Sequence, residues 1–403
     1  MIDRTLLITV SGIDAPGVTS AIFEALAPSA VVVIDMEQLV VRGHLTLAIA
    51  VEIDSSVDDS IAPLVLDSVR KDVRIAASSR NMEVTTRPGV TLEADYSPEK
   101  FQVIVMGSPL YPECISIVTS TIALHGGNLD RIHRIADYPV TAIRFEGSGV
   151  AHSVLRRPLA EVSVRCHVDI SVQDVNLEAR GQYLVVMDVD STLIQEEVVD
   201  LLGELAGVGP AVSEITQAAM NGELDFVQAL EARVALLAGA PASLLEQVRA
   251  MVTLTPGART LCRTLNRLGY RIVLVSGGFT NVIGPIASDL GVSAFRANTL
   301  EVVDDKLTGK LVGKIIDREG KRQALIDFSR EFNIPNRRTI AIGDGANDID
   351  MISEAGLGVA FNAKLALRES ADTTVNVPYL DSILYLLGIT RDEIVRSDRE
   401  NCN

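Results

Sequence analysis

"YLVVMDVDSTLI", residues 183–194, carries an apolar run, Val185, Val186 and Met187, straight into Asp188 and Asp190, then returns at once to Leu193 and Ile194. So apolar a strand belongs inside a sheet, and a carboxylate pair at its tip needs something to neutralise it. In an extended segment residues i and i+2 face the same way, so both carboxylates point to one side. By itself the motif leaves several readings open: a solvated turn, a helix N-cap, or a D-x-D metal site of the nucleotide-sugar transferase kind. A calcium loop fits poorly, because an EF-hand needs glycine at its sixth position and glutamate at its twelfth, where Leu193 and Val199 stand. The D-[ST]-G of an aspartic protease lacks its glycine here.

Around this stretch, short β-branched runs recur: "RIVLV" (271–275), "RTIAI" (338–342), "GVAF" (358–361) and "TTVNV" (373–377), separated by helical patterns such as "RQALIDFSREF" (322–332). Near-continuous apolar strands alternating with helices predict a Rossmann-like parallel sheet covered on both faces, over residues 181–396. Residues 198–266 read as helical throughout; a crossover needs one helix, so the surplus predicts an inserted helical cap. The first half repeats itself. "LLITVSGIDAPGVTSAIFEAL" (6–26) and "FQVIVMGSPLYPECISIVTSTIAL" (101–124) each read strand, glycine turn, helix, and "TLAIAVEID" (46–54) matches "VTAIRFEGS" (140–148). Further strands are expected at 82–88 and 163–172. Two ferredoxin-like βαββαβ units of the α+β class fit, at 1–90 and 98–175, joined by "GVTLEADYSPEK" (89–100) and leading on through "QDVNLEAR" (173–180).

The 403 residues, 47% hydrophobic, suffice for two or three domains. A net charge of −17 argues against nucleic acid or an anionic membrane as partner, since both are bound through a surplus of Lys and Arg. No apolar segment approaches the roughly 20 residues of a membrane span, and the start, "MIDRTLLITVSGID", reads as a first strand and not as a secretory signal. Cys114, Cys166, Cys262 and Cys402 lie far apart, the usage of a reduced, cytoplasmic chain. All five histidines (His44, His125, His133, His152, His167) precede residue 168. Imidazole chemistry is therefore excluded from the half that holds the aspartate pair.

In an open parallel sheet, ligands sit beyond the carboxyl ends of the strands. Three strand ends here carry polar, glycine-assisted sequence: "DVDST", "SGGF" (276–279) and "GDGANDID" (343–350). Ser276-Gly277-Gly278 is either a plain tight turn or a place where backbone N–H groups at a helix start take a phosphate. Capping explains one of Asp344 and Asp348, at i and i+4 beside Gly343 and Gly345, but not both together with the pair at 188 and 190. Clustered carboxylates without histidine suit Mg²⁺, a hard cation that takes carboxylate and phosphate oxygens together. Lys321 is an ordinary surface lysine unless a phosphate beside those carboxylates needs a fixed positive charge.

The ordered set DVDST, SGGF, Lys321 and GDGAND resembles the haloacid dehalogenase-like phosphohydrolases, in detail the phosphoserine phosphatases, from residue 181 to about 385. The first half resembles a tandem pair of ACT domains, through its topology and "GIDAPGV" (12–18). The resemblance implies a phosphoric monoester hydrolase that cleaves O-phospho-L-serine in the last step of serine biosynthesis. Asp188 would be the nucleophile, forming an aspartyl-phosphate, and Asp190 the general acid and base. Ser276 and Gly277 would grip the phosphoryl oxygens and Lys321 would cancel charge. Mg²⁺ would be held by Asp188, the Asp190 main-chain carbonyl and Asp344, with Asp348 behind them. It further implies Glu197 for the substrate ammonium, Arg233 for its carboxylate, and Met220, Phe226 and Asn347 as neighbours; read without the resemblance, Glu197 and Arg233 are surface helix charges. For the ACT-like half it implies an amino-acid effector, L-serine, at Gly12, Asp14 and Gly17, with Gly107 and Asn128 as contacts in a second copy whose "GSPLYPE" departs from the pattern. A homodimer formed through that half is the expected assembly. Two rivals stand beside this reading: a related small-molecule phosphatase or phosphotransferase, and an amino-acid-sensing protein whose phosphatase half is a relic.

Overall fold

Residues 4–89, 99–174, 181–220 and 224–399 are described by the computed structural model, and the chain divides into two units, Met1–Tyr96 and Ser97–Asn403. Most of the two connecting segments, 89–100 and 173–180, lies outside the described residues.

The first unit runs β1 (Thr5–Ile13), α1 (Val18–Leu26), β2 (Val31–Val41), β3 (His44–Ile53), α2 (Ala62–Ser79) and β4 (Glu83–Pro88). The strands form an antiparallel sheet in the order β2-β3-β1-β4. Alternate residues of β1 and β3, among them Leu6, Ile8, Val10, Leu47 and Ile49, are wholly buried against Val18 and Ile22 of α1 and Val69 and Val73 of α2. Period two on the strands thus meets period three to four on the helices. Edge strand β2 is different: Val32, Val33, Ile34, Met36, Leu39, Val40 and Val41 are all exposed.

The second unit opens with the same pattern: β5 (Lys100–Gly107), α3 (Pro112–Leu124), β6 (Asn128–Ala136), β7 (Thr141–Ser148), α4 (His152–Cys166) and β8 (Asp169–Asp174), in the order β6-β7-β5-β8. The expected strand over 163–172 starts only at Asp169, because α4 continues to Cys166 and ends at His167, whose φ of 53° is left-handed. Both faces of β5 are buried. Phe101, Val103 and Val105 meet α3 and α4, whereas Ile104 and Met106, with Val140 and Ala142, join the core of the domain that follows. Asp169, 4% exposed, accepts hydrogen bonds from Thr374 Oγ1 (3.0 Å), Asn376 N (3.0 Å) and Asn376 Nδ2 (2.7 Å) of that domain.

That domain runs β9 (Leu184–Met187), α5 (Val198–Leu205), α6 (Gly209–Met220), α7 (Phe226–Ala235), α8 (Leu244–Met251), α9 (Ala258–Arg267), β10 (Arg271–Phe279) and α10 (Thr280–Asp289). It continues through β11 (Ala294–Val303), β12 (Lys306–Val312), α11 (Arg318–Glu331), β13 (Thr339–Gly343), α12 (Ile349–Glu354), β14 (Leu357–Phe361), α13 (Leu365–Arg368), β15 (Thr373–Val375), α14 (Ile383–Leu386) and α15 (Arg391–Arg399). The sheet order is β12-β11-β10-β9-β13-β14-β15, parallel except for β12. β9 is buried along its whole length, as its composition requires. Among the described residues between β9 and β10, α5 to α9 follow one another, with α9 against β10.

The hairpin β11–β12 has no counterpart in the sequence reading. It turns on Asp304 and Asp305, both at positive φ (50° and 57°), where Asn-Gly or Asp-Gly would have advertised the turn. It packs on α7: a side chain at Gly309 would lie 2.9 Å from Ala238 Cβ and 3.1 Å from the Ala235 carbonyl.

Candidate active site

Three neighbouring central strands end at one level. Met187 of β9 pairs with Leu274 of β10 and Ile342 of β13, so Asp188, Ser276–Gly278 and Gly343–Asp344 emerge side by side at the carboxyl edge. After Asp188 the chain makes one irregular loop, with Ser191 at φ 56°. The loop is strapped down by segment 253–255: Thr255 Oγ1 donates to Thr192 O at 2.7 Å, Thr255 N to Leu193 O at 2.9 Å, and Thr253 N to Glu196 Oε2 at 2.9 Å. A left-handed serine beside clustered carboxylates is the kind of strained backbone that persists where the surroundings over-determine it.

The charges follow. Lys321 is wholly buried, one turn into α11 behind the Asp317 cap, which accepts from Gly320 N at 2.7 Å. Its Nζ lies 2.7 Å from Asp188 Oδ1 and 2.8 Å from Asp348 Oδ1. The other oxygen of Asp348 accepts from Gly345 N at 3.1 Å, so both its oxygens are engaged. Asp344 Oδ1 accepts from Thr192 Oγ1 at 3.1 Å. Asp190 accepts from Val198 N, the first amide of α5, and from Ser276 Oγ, each at 3.3 Å. Space beside it is tight: a side chain at Gly278 would sit 2.9 Å from Asp190 Oδ2, and one at Gly277 would sit 3.0 Å from the Phe226 ring.

Burial is the leading cause of every carboxylate shift in this cluster. It pushes Asp188 well above the carboxylate range, with the charge of Asp348 adding and Lys321 opposing. It takes Asp190 up to about 7, reinforced by Glu197, and Asp344 up to about 6, reinforced by Asp348 and Glu197. Burial alone would lower Lys321, but Asp188 and Asp348 more than offset it and hold the ammonium charged. One lysine does not balance this many carboxylates. Carboxylate oxygens of Asp188, Asp344 and Asp348 lie within 4.8 Å of one another. This all-oxygen, over-negative donor set fits a hard divalent cation such as Mg²⁺.

The cluster floors a cavity of 620 Å³. Glu197, Phe226 and Arg233 from the helical segment line it together with Asp188, Asp190, Asp344, Gly277 and Asn347. Ser276 and Lys321 lie fully buried beneath it. Glu197 is held by Ser191 Oγ, which donates to Oε1 at 2.8 Å, and Arg233 Nε donates to Ala229 O at 3.3 Å. The side chain of Met220 lies outside the described residues. Thr192, Ser191, Thr255 and Asn298 support the site and were missed from sequence; a polar residue inside the otherwise ordinary strand "RANTL" was the available hint for Asn298. Arg318 and Lys364 also line the cavity and were not foreseen.

The effector candidates divide. Asp14 and Gly17 line a second concavity with Thr19 and Gln38, whereas Gly12 faces Met82, whose sulfur would lie 2.6 Å from a side chain there. Gly107 and Asn128 do not meet. They pair with Thr141 and Ser148, the opposite ends of β7, because α3 carries the chain back across the sheet before β6 begins.

Comparison with known proteins agrees with this geometry. The family of haloacid dehalogenase-like hydrolases matches residues 185–353, and ACT domain families match residues 4–84 and 100–173. A phosphoserine phosphatase of Streptomyces coelicolor is 48% identical over 98% of this chain and 94% of its own length. Phosphoserine phosphatase SerB2 of Mycobacterium tuberculosis is 45% identical over 99% of this chain and 96% of its own. Among solved structures, a haloacid dehalogenase family hydrolase from Salmonella enterica serovar Typhi superposes with a TM-score of 0.62 at 28% identity, covering 71% of this chain and 98% of that one. The aspartate-tipped strands, the lysine buried between two carboxylates and the doubled amino-terminal fold have one common explanation: the chain belongs to the phosphoserine phosphatase family of haloacid dehalogenase-like hydrolases, with two amino-terminal ACT domains.

Proposed function

We propose that the chain hydrolyses O-phospho-L-serine to L-serine and phosphate, the last step of serine biosynthesis, through an aspartyl-phosphate on Asp188. The observation that carries this reading is one cavity holding the Asp188–Asp190 pair together with an acid, Glu197, and a guanidinium, Arg233. An ammonium and a carboxylate on the substrate would meet these two, the carboxylate as a bidentate partner of Arg233.

A carboxylate oxygen of Asp188 attacks phosphorus while the bond from phosphorus to the serine oxygen breaks. Asp190, raised by burial to about 7 and so partly protonated near neutrality, gives its proton to the leaving alkoxide. It then takes a proton from the water that cleaves the acyl-phosphate, releasing phosphate and restoring Asp188. Lys321 keeps the Asp188 carboxylate fixed and partly neutralised. Asp188, Asp344 and the Asp190 carbonyl would hold Mg²⁺, with Asp348 steadying them from behind; bound there, the cation supplies charge neutralisation and Lewis-acid polarisation of the phosphoryl group. Gly277, which lines the cavity, would offer its N–H to the phosphoryl oxygens.

The two ACT domains suit binding of an amino acid, here L-serine, and the concavity beside Asp14 and Gly17 is the candidate place. The exposed apolar edge β2 supports a homodimer through the same half, since an unpaired strand of this kind is a ready surface for another copy. Free thiols at Cys114, Cys166 and Cys262 support a cytoplasmic setting; among the described residues no helix is long and apolar enough to cross a membrane.

The deciding measurement is kcat/KM for O-phospho-L-serine against an aryl phosphate, with Mg²⁺ and with chelator. A preference of about a thousandfold or more, abolished by D188N and by chelation, is expected from two charged contacts of about 2 kcal/mol each. Equal rates on both esters would remove the substrate assignment, and an active D188N would remove the mechanism. Activity unchanged by millimolar L-serine would remove the effector.

A further inference from the structure

We propose that Asn298, which touches neither the cavity nor any of the carboxylates, is the positioning residue of the phosphoryl-binding turn. The inference rests on the reading of Gly277 as a phosphoryl contact. Asn298 sits on β11, 2% exposed, opposite Phe279 at the point where the register of β10 is interrupted. Its Nδ2 donates to Gly277 O at 2.8 Å and its Oδ1 accepts from Ile316 N at 2.8 Å. These two partners also fix the amide orientation, since a carbonyl can only accept and a backbone N–H can only donate.

The Gly277 carbonyl belongs to the same peptide plane as the Gly278 N–H, and that N–H donates to Ser276 Oγ at 2.8 Å. One peptide group is therefore clamped at both ends, by Asn298 at its oxygen and by Ser276 at its nitrogen. Two consecutive glycines have no side chains to hold the turn, and the backbone freedom that lets a ligand approach is otherwise a loss of order. Ser276 passes the clamp on by donating to Asp190 Oδ2. On the other side, Ile316 immediately precedes Asp317, the cap of the helix that presents Lys321 to Asp188. Asn298 thus ties the phosphoryl turn to the lysine helix through a single planar amide. Positioning errors of an ångström at such groups cost about a hundredfold.

The test uses the full-length chain with Mg²⁺ and compares N298D, N298S and wild type. N298D keeps an acceptor for Ile316 N but loses the donor to Gly277 O, and N298S shortens both reaches. Three constants are read: kcat, KM, and the inhibition constant of inorganic phosphate. The expected result is a fall in kcat of about tenfold to a hundredfold and a comparable rise in the phosphate inhibition constant. The losses should be equal on O-phospho-L-serine and on an aryl phosphate, because Glu197 and Arg233 are untouched. Melting temperatures separate a loosened turn from a broken fold. Folded variants whose kcat and phosphate affinity stay within twofold of wild type overturn the assignment, as does a loss confined to phosphoserine. If neither variant folds, Asn298 is a core residue of the sheet and the positioning role is likewise overturned. A wild type without preference for phosphoserine would sink the substrate reading while leaving the equal losses on both esters to be found.

Discussion

Lys321 Nζ sits 2.7 Å from Asp188 Oδ1 with both groups closed to solvent. A buried ion pair of this kind is poor evidence for stability in itself, but removing one member leaves the other uncompensated. K321M, which keeps the shape of the side chain, strands Asp188 and Asp348 together. A loss of about 3–5 kcal/mol in denaturant titrations is expected, with kcat reduced by about a thousandfold or more. A K321M protein as active as wild type would show that the lysine only fills space.

The shifted carboxylates set a stability profile against pH. In the unfolded chain Asp190 and Asp344 titrate near 3.8; folded, they titrate at about 7 and about 6. The folded chain therefore keeps protons that the unfolded chain releases, and stability falls as pH rises from about 4 through about 7. Melting temperatures in chelator should decline across that window. Mg²⁺ should recover the loss, with a larger gain at pH 8 than at pH 5. A metal gain that is the same at both values would mean that the cation binds elsewhere.

Discrimination should separate from chemistry. R233A is expected to lower kcat/KM for O-phospho-L-serine about a hundredfold or more while leaving an aryl phosphate within threefold. S191A, which frees Glu197 of its 2.8 Å bond, should raise KM about fivefold with kcat little changed. If S191A damages kcat on both esters equally, Ser191 serves the shape of the loop and not Glu197.

At the seam between β8 and β15, D169A removes the acceptor of Thr374 Oγ1 and Asn376 N, while Asn376 Nδ2 keeps only its 3.2 Å bond to Thr374 Oγ1. A cost of about 1–3 kcal/mol is expected in thermal or urea melts, since a buried carboxylate that accepts three hydrogen bonds across the seam is lost. A melt indistinguishable from wild type would show that water replaces the carboxylate at no cost.

The parts of this molecule that were legible in sequence are those where one strand ends in chemistry. Val185–Met187 running into Asp188 fixed a buried central strand and its tip, and the two later tips followed by analogy. The doubled ferredoxin-like order was legible because the two openings resemble each other. Support from a distance was not. Asn298 acts through geometry set by a register break between β10 and β11, and Thr255 reaches Thr192 across 63 residues. No local pattern marks such partners. The β11–β12 hairpin escaped because its turn is Asp304-Asp305.

Three family matches suggest three detachable pieces, but the apolar face of β5 says otherwise. Ile104, Met106, Val140 and Ala142 share one core with Tyr385 and the β9 sheet, and β15, seamed to β8 through Asp169, is two strands from β13 and Asp344. A cut near residue 97 falls between units, whereas a cut near 181 saws through a core and would leave a sticky, misfolding fragment. The second ACT domain is therefore a wall of the enzyme's own house. A ligand bound to that domain would act on packing it shares with the sheet that carries the nucleophile.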